Sequence, residues 1–542
     1  MENQESKIKK SIVLSGLVGT GGLFVAKLIG IIYAIPFSSI LGNESYMSIY
    51  GQAYNIYSYL LMVFTAGFPF AIATLVARYT VLNDHKTVLL VKKIAISSLA
   101  LMGFAGMVVL MFLSGIIAPL MVAENIQIMA NVLRFLAIAI FLVPVLSAFR
   151  GYYQGLKEMQ EYAFSQAFEQ LFRVGFLLAG ACIVVYLLGF DRKYALYISV
   201  LSTSVAALAG IAQIFFFDRK KKFEVEELAQ NQEGNPVETK LLVKEYVKLS
   251  IPYLLTSIFG YSQQIYNAIL LPLGLKLHNY STTVITSIIS ATTYVGVKIT
   301  AIPMVLAPGF TAAIIPHITA ALTIKDYKLV RKSIIDCINI ILFIGLPVSF
   351  CIFLYAKPIN YVLFYSEDLE TASFVLAWLS IEAFLGTLAP VVTNLMMSLE
   401  LKKSLLKRLI FFTVVKGIIM VPLVWLLGFV GSVLCNLVGD GLLILFNIRE
   451  IKEVYKVNFK NCFIVAIRVC IAMIAMWIVC TLLNIIGING YTGGKLVAFI
   501  KMCINGLLTV GAFVGASIAL KLPEAVFHVN FITMINGFLH KE

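Results

Sequence analysis

Long apolar runs recur along the whole chain, separated by short polar breaks. About fourteen of these runs come near the roughly 20 residues a helix needs to cross a bilayer. They fall at 11–35, 47–77, 88–117, 127–154, 162–190, 194–217, 247–274, 282–318, 330–356, 371–399, 405–427, 430–450, 461–487 and 495–521. None shows the alternation of a barrel strand, and in lipid the backbone must bond within its own segment, so each run predicts a helix. The expected fold is an all-α polytopic membrane protein.

One polar stretch, Asp218–Lys240, breaks the pattern and predicts a linker between two halves. The halves echo each other. AGFPFAIAT before residue 75 and APGFTAAI before residue 315 both set Gly and Pro beside small residues, and QGLKEM at 154–159 parallels MSLELK at 397–402. Internal repeats of this kind predict two pseudo-symmetric six-helix lobes with the substrate between them. The expected organisation is an N-terminal lobe at 1–217, a linker at 218–243, a C-terminal lobe at 244–455 and an additional helix pair at 456–542.

The composition, 60% hydrophobic and 13% charged, excludes an ordinary soluble domain. The net charge of +14 in a soluble protein would suggest nucleic acid. Here the Lys and Arg residues gather in alternate loops (Arg78 to Lys93, Arg219 to Lys222, Lys325 to Lys332, Lys402 to Arg408, Arg449 to Lys460), so topology explains them. The positive-inside rule makes those loops, and both termini, cytoplasmic. Lys7, Lys9 and Lys10 precede an apolar run too long for a signal peptide, which reads as an uncleaved first helix. The eight cysteines are scattered through apolar segments without a CxxC, so neither a disulfide framework nor a metal site is expected.

Charges inside the apolar runs are the candidate chemistry, because each is expensive at membrane depth and usually faces a cavity. Lys27, Arg173, Lys298 and Lys416 are four such cations. Arg134 and Arg468 lie near helix ends and read as snorkelling. Several buried cations with few acids predict a path for an anion. The acids at depth are Glu169, Glu382 and Asp440. Glu169 and Arg173 are spaced for an intrahelical ion pair. Glu382 and Asp440 can carry a coupling ion or neutralise a neighbouring cation. Lys298 shares a helix face with Thr293, Tyr294 and Thr300 that reads as water-facing. Gly67, Pro69, Pro303, Pro308 and Gly309 fall in mid-membrane and predict hinged or broken gate helices.

No nucleotide or hydrolase motif is present. GYTGGK at 490–495 has Asn489 where a P-loop needs its first glycine, and neither HExxH nor GxSxG occurs. The only external acidic cluster, Glu367, Asp368 and Glu370, sits on a short loop unsuited to a glycan polymerase. An enzyme is not expected, and neither a cofactor nor a metal is.

The stretch FRGYYQGLKEMQEYAFSQAFEQLFRV, 149–174, resembles the RGxxQG…SQxxEQxxR signature of the SpoVB/YtgP branch of polysaccharide exporters. This branch includes the MurJ-type lipid II flippases, within the multidrug/oligosaccharidyl-lipid/polysaccharide (MOP) exporter superfamily. AKLIGIIYAIPFSSILG, 26–42, is similar to the family's first helix, with Lys27 at a basic position, and Lys298 matches a basic position in its eighth. The resemblance implies lobes forming a V around a cationic cavity lined by Lys27, Arg173, Lys298 and Lys416. The pyrophosphate and sugar-peptide head of lipid II would enter it, leaving the polyprenyl tail in lipid along a groove beside the last two helices. It also implies a monomer in the bacterial cytoplasmic membrane, without a cofactor, driven by the membrane potential or a coupled ion and able to contact cell-wall synthesis proteins. Two departures stand out. Tyr33 occupies a position that is basic in Gram-negative members. The seventh helix offers Gln263, Gln264 and Asn267 where some members use an acid to bind a cation, which argues against sodium coupling. The alternatives are a flippase for another polyprenyl-linked saccharide (capsule, teichoic-type or sporulation) and a drug/cation antiporter.

Overall fold

The computed structural model describes residues 29–30, 32–65, 67–122, 124–312, 318, 321–322 and 324–527. Among them every regular element is a helix. The first unit contains α1 (Ala34–Leu41), α2 (Glu44–Thr65), α3 (Phe68–Val81), α4 (His85–Met121), α5 (Ile126–Gly155), α6 (Met159–Cys182), α7 (Arg192–Gln230) and α8 (Thr239–Gly260). α9 follows as Ser262–Ile265, a wide π turn at Tyr266–Leu270 and Leu271–Leu277. α10 joins Thr282–Ser290, a π turn at Ala291–Gly296 and Val297–Ala312. Then come α11 (Tyr327–Leu354), α12 (Ala356–Leu363), α13 (Leu369–Ser398), α14 (Lys402–Leu427), α15 (Phe429–Tyr455), α16 (Lys460–Ile485), α17 (Lys495–Ala519) and α18 (Leu522–Phe527).

Twelve helices among the described residues are long and apolar enough to cross a membrane. Their outward faces carry large apolar side chains such as Phe112, Ile418 and Leu507, which water would penalise and lipid tails accept. The chain is a multi-pass membrane protein. The run expected at 247–274 is not one straight helix: it stops at Gly260 and resumes as α9. Most of the first expected run, 11–35, lies outside the described residues.

The chain divides into two compact units at Leu273/Gly274, whereas the polar stretch placed the boundary at 218–243. The reason is that α8, expected to open the second lobe, packs on α3. Phe68 and Phe70 of α3 meet the rings of Tyr246 and Tyr253 of α8 at 5.4 and 4.3 Å. Arg78 pairs with Glu245. Gly67 makes this approach possible: it has φ +82, and a Cβ there would lie 2.5 Å from the Ser250 carbonyl oxygen. Only glycine meets both demands without strain. Gly67 thus ends α2 and starts α3 within one membrane crossing, with Pro69 in the first turn of α3, where its missing N–H costs nothing. Pro303 behaves otherwise. Expected to break its helix, it sits inside the continuous Val297–Ala312 segment, which also contains Pro308 and Gly309. A proline removes a single backbone donor, which a long helix can absorb.

The predicted linker is mostly helix. α7 runs on to Gln230 because Asp218 is buried between Lys92 and the Tyr153 hydroxyl, which tie it to α4 and α5. Only 231–238 is irregular, and it is latched to the α3–α4 turn. Gln232 Nε2 donates to Asp84 Oδ1 at 2.9 Å, Lys86 Nζ donates to the carbonyls of Gln232 and Gly234, and Val237 N–H donates to Thr87 Oγ1. Asp84 also caps α4 by accepting from Thr87 N–H. Burial pushes the Asp84 carboxyl up, but hydrogen bonds from Gln232 and Thr87 outweigh it and hold it below the ordinary carboxylate value. A depressed acid stabilises the fold above its unfolded value and loses that contribution as pH falls through its folded value. Amide exchange across 231–238, taken relative to the intrinsic rate at each pH, is therefore expected to quicken as the medium is acidified below about pH 4. Asp84→Ala should quicken it at neutral pH by roughly 5-fold, the equivalent of a cap worth about 1 kcal/mol. Unchanged exchange in Asp84→Ala would show that the latch holds without its acid.

The last two long helices form a hairpin bound to α11 by an apolar cluster around Val469, Met476 and Phe513. A buried polar chain reinforces it. The Tyr355 hydroxyl lies 2.5 Å from Asn505 Oδ1 and 2.9 Å from Thr509 Oγ1. Asn505 Nδ2 donates to Asn484 Oδ1 and to the Ile488 carbonyl.

Candidate functional site

In the first unit the signature stretch is an arrangement around two arginines. Gly151 and Gly155 lie on one face of α5, and a Cβ on either would fall 2.8 Å from a carbonyl oxygen of α3, that of Pro69 or Ala73. The small-residue stripe lets α5 and α3 touch backbone to backbone. Beside it, Arg150 reaches α6. Its Nη2 lies 2.7 Å from Glu169 Oε2, 2.9 Å from the Ser165 carbonyl and 3.1 Å from Ser165 Oγ. Glu169 is thus neutralised from the neighbouring helix, not by Arg173 one turn along its own, as the spacing suggested.

Arg173 is left without a carboxylate. Among the described residues it makes no salt bridge, and its Nε is buried without a hydrogen-bond partner. Its guanidinium stands 5.2 Å from the centre of the Tyr54 ring, a cation–π contact. Tyr33, Tyr50 and Tyr57 are its other electrostatic neighbours. These tyrosines are ordered by one another. The hydroxyls of Tyr33 and Tyr50 are 3.1 Å apart, the rings of Tyr50 and Tyr54 4.4 Å apart, and the Tyr54 hydroxyl lies 2.5 Å from Thr203 Oγ1 of α7. An aromatic shell holds one cation whose donors are unspent, which suits a ligand with several anionic oxygens. Lys27 lies outside the described residues. Arg134 is an exposed group bonded to Ser114 Oγ and Asn131 Oδ1, and Arg468 bonds the Leu520 carbonyl.

In the second unit Lys298 is half-buried on α10 just past the π turn. The face expected to be wet is not: Thr293 and Tyr294 are buried, and the hydroxyls of Thr293 and Thr300 bond carbonyls of their own helix. Lys416 is more enclosed. Its stem fills space left by Gly439, where a Cβ would come within 2.5 Å of it. Its ammonium lies 2.9 and 3.0 Å from the two oxygens of Asp440. Glu382 of α13 accepts from Asn436 Nδ2 at 3.1 Å, next to that pair. Lys416, Glu382 and Asp440 form one cluster, in which Lys416 is a neutralised cation.

Sequence reasoning did not single out Arg150, the tyrosine shell around Arg173, or Asn436. A faint signal existed for two of them. Tyr50, Tyr54 and Tyr57 recur at helical spacing, and Asn436 lies one turn from Asp440.

Comparison with known proteins agrees with this architecture. The chain is 25% identical over 545 residues to the lipid II flippase MurJ of Bacillus subtilis (strain 168), covering 96% of this chain and 95% of that protein. It is 22% identical over 462 residues to stage V sporulation protein B of the same organism, covering 83% and 86%. A solved structure of the lipid II flippase MurJ in an inward closed conformation superposes with a TM-score of 0.65 at 14% identity, covering 93% of this chain and 99% of that one. The model of the polysaccharide biosynthesis protein family matches residues 13–322, more than half of the chain, and the chain belongs to that family.

Proposed function

We propose that this chain is a flippase carrying lipid II, the undecaprenyl-pyrophosphate-linked peptidoglycan precursor, from the inner to the outer leaflet of the bacterial cytoplasmic membrane by alternating access. The observation that carries the reading is Arg173. A guanidinium with a buried, unpartnered Nε is costly unless an anion completes it, and a diphosphate offers several charged oxygens. Arg150 supports this by taking up Glu169, which would otherwise compete with the substrate. Lys27 in the first unit and Lys298 in the second are the further cations offered to the substrate's charge. Along the outer surface of the second unit, Phe350, Cys470, Met473, Ile474 and Trp477 line an apolar recess of about 370 Å³, suited to a polyprenyl tail. The membrane potential or a coupled ion would drive the cycle.

A second reading, a flippase for another polyprenyl-linked saccharide, is favoured by the similarity to the sporulation protein. A drug/cation antiporter would need a carboxylate available to an organic cation in the first unit, but Glu169 is held by Arg150. The deciding test supplies this protein as the sole flippase in depleted cells and measures lipid II exposed on the outer leaflet with an external lipid II-cleaving enzyme. Restored cleavage supports lipid II as substrate. Absent cleavage with normal membrane expression removes lipid II and leaves the other saccharide.

A further inference from the structure

The second unit buries two carboxylates beside one ammonium. Lys416 and Asp440 form a bidentate, neutral pair, with the lysine side chain only 8% exposed. Glu382 is then the unbalanced acid, and an uncompensated carboxylate inside a membrane helix is strongly disfavoured. Its hydrogen bonding identifies how the imbalance is relieved. Asn436 Nδ2 donates to Glu382 Oε1 at 3.1 Å. Asn436 Oδ1, on the same amide, is buried with no donor. A carboxylate cannot supply one, since it only accepts, whereas a carboxylic acid has one O–H to give. With a proton on Glu382, acid and amide can close a two-bond ring: N–H to the acid's carbonyl oxygen, and the acid's O–H to Asn436 Oδ1. Protonation thus cancels the charge and fills the orphaned acceptor together.

We propose that Glu382 and Asn436 form a proton-binding site, and that the Lys416–Asp440 pair responds to its occupancy. When the proton leaves to water, the Glu382 carboxylate becomes a second claimant for the Lys416 ammonium, which Asp440 holds alone in the protonated state. The groups acting on Glu382 are Lys416 of α14 and Asp440 and Cys435 of α15. Of the other helices packed on α13, α10 brings Lys298, while α11 and α12 bring Asp336 and Lys357, the latter paired with Glu370 at 2.5 Å. Any coupling to translocation rests on the flippase reading; the proton site itself does not.

The test is pH-difference infrared spectroscopy on the purified full-length protein in liposomes without substrate. The wild type is expected to show a carboxylic-acid carbonyl band at neutral pH that disappears on alkalinisation. Glu382→Gln, which keeps the volume and the bond from Asn436, should lack that band, and Asp440→Asn should retain it. Should Glu382→Gln fail to fold, Asn436→Ala is the second probe: losing the amide partner must move the band to the frequency of a free acid. A band unaltered by both Glu382→Gln and Asn436→Ala overturns the site, as does loss of a carboxylate band, in place of an acid band, in Glu382→Gln. Because no lipid-linked substrate is present, failure of lipid II translocation leaves this result standing. Conversely, an ionised Glu382 in a protein that does flip lipid II ends the proton site alone.

Discussion

Replacing Arg173 with glutamine is expected to lower translocation roughly 10- to 100-fold, the equivalent of one charge-assisted hydrogen-bonding partner for a phosphate. The thermal midpoint should stay the same or rise. These opposite signs follow from the geometry. Among the described residues the guanidinium has no carboxylate, and its Nε is buried and unpartnered, so the Tyr54 ring face offsets only part of its desolvation. Glutamine removes that burden along with the charge. Arg173→Lys should recover part of the rate, since a lysine keeps the charge but loses the planar fork and its stacking on Tyr54. The measurement is the external-cleavage assay at matched expression, paired with thermal unfolding of the purified variants. A variant that loses stability and transport together would make Arg173 a packing residue of the tyrosine shell. Wild-type transport would remove it from the substrate path.

Arg150→Met should have the largest effect on stability, about 3–5 kcal/mol if the site stays dry, because it strands Glu169. The two side chains are 11% and 20% exposed, so water entry will reduce the figure. The decisive comparison is the double variant Arg150→Met/Glu169→Leu, which removes both charges and should recover most of the loss. The single variant carries a second consequence. With Arg150 gone, the cation one turn along α6 from Glu169 is Arg173, and the carboxylate would draw it away from Tyr54. Transport should therefore fall in Arg150→Met even at temperatures where the variant is folded, and return in the double variant. Additive losses in the double variant would mean that Arg150 stabilises through Ser165 and not through Glu169.

The spans were legible because hydrocarbon imposes one rule on every residue of a crossing helix, and hydropathy reads that rule directly. The buried charges were legible for the same reason. Their partners were not. Helical spacing suggested Glu169–Arg173, but the pair that forms, Arg150–Glu169, joins two helices, and no period along one helix encodes the rotation of its neighbour. Lys416 illustrates the limit from the other side. Its burial was evident, while its neutralisation by Asp440 depends on how α14 and α15 face each other. The placement of α8 was hidden because hydropathy marks that a helix crosses, not which helices it joins. Gly67 held the clue, as a residue placed where a bulkier one would collide with Ser250.

The polar chain at the C-terminal hairpin bears on how the protein enters the membrane. Both donors of the Asn505 amide are met within the hairpin, by Asn484 and by the Ile488 carbonyl. A newly made α16–α17 hairpin can therefore partition into lipid with the Asn505 amide already bonded within it. Asn505 Oδ1 accepts from Thr509 Oγ1, one turn along its own helix, at 3.2 Å, and gains a second donor in the hydroxyl of Tyr355, synthesised well before it. Insertion and docking thus become separable events: local bonds let the hairpin leave the translocon, and the Tyr355 hydroxyl at Asn505 and Thr509, with the apolar cluster around Val469 and Phe513, fixes where it comes to rest.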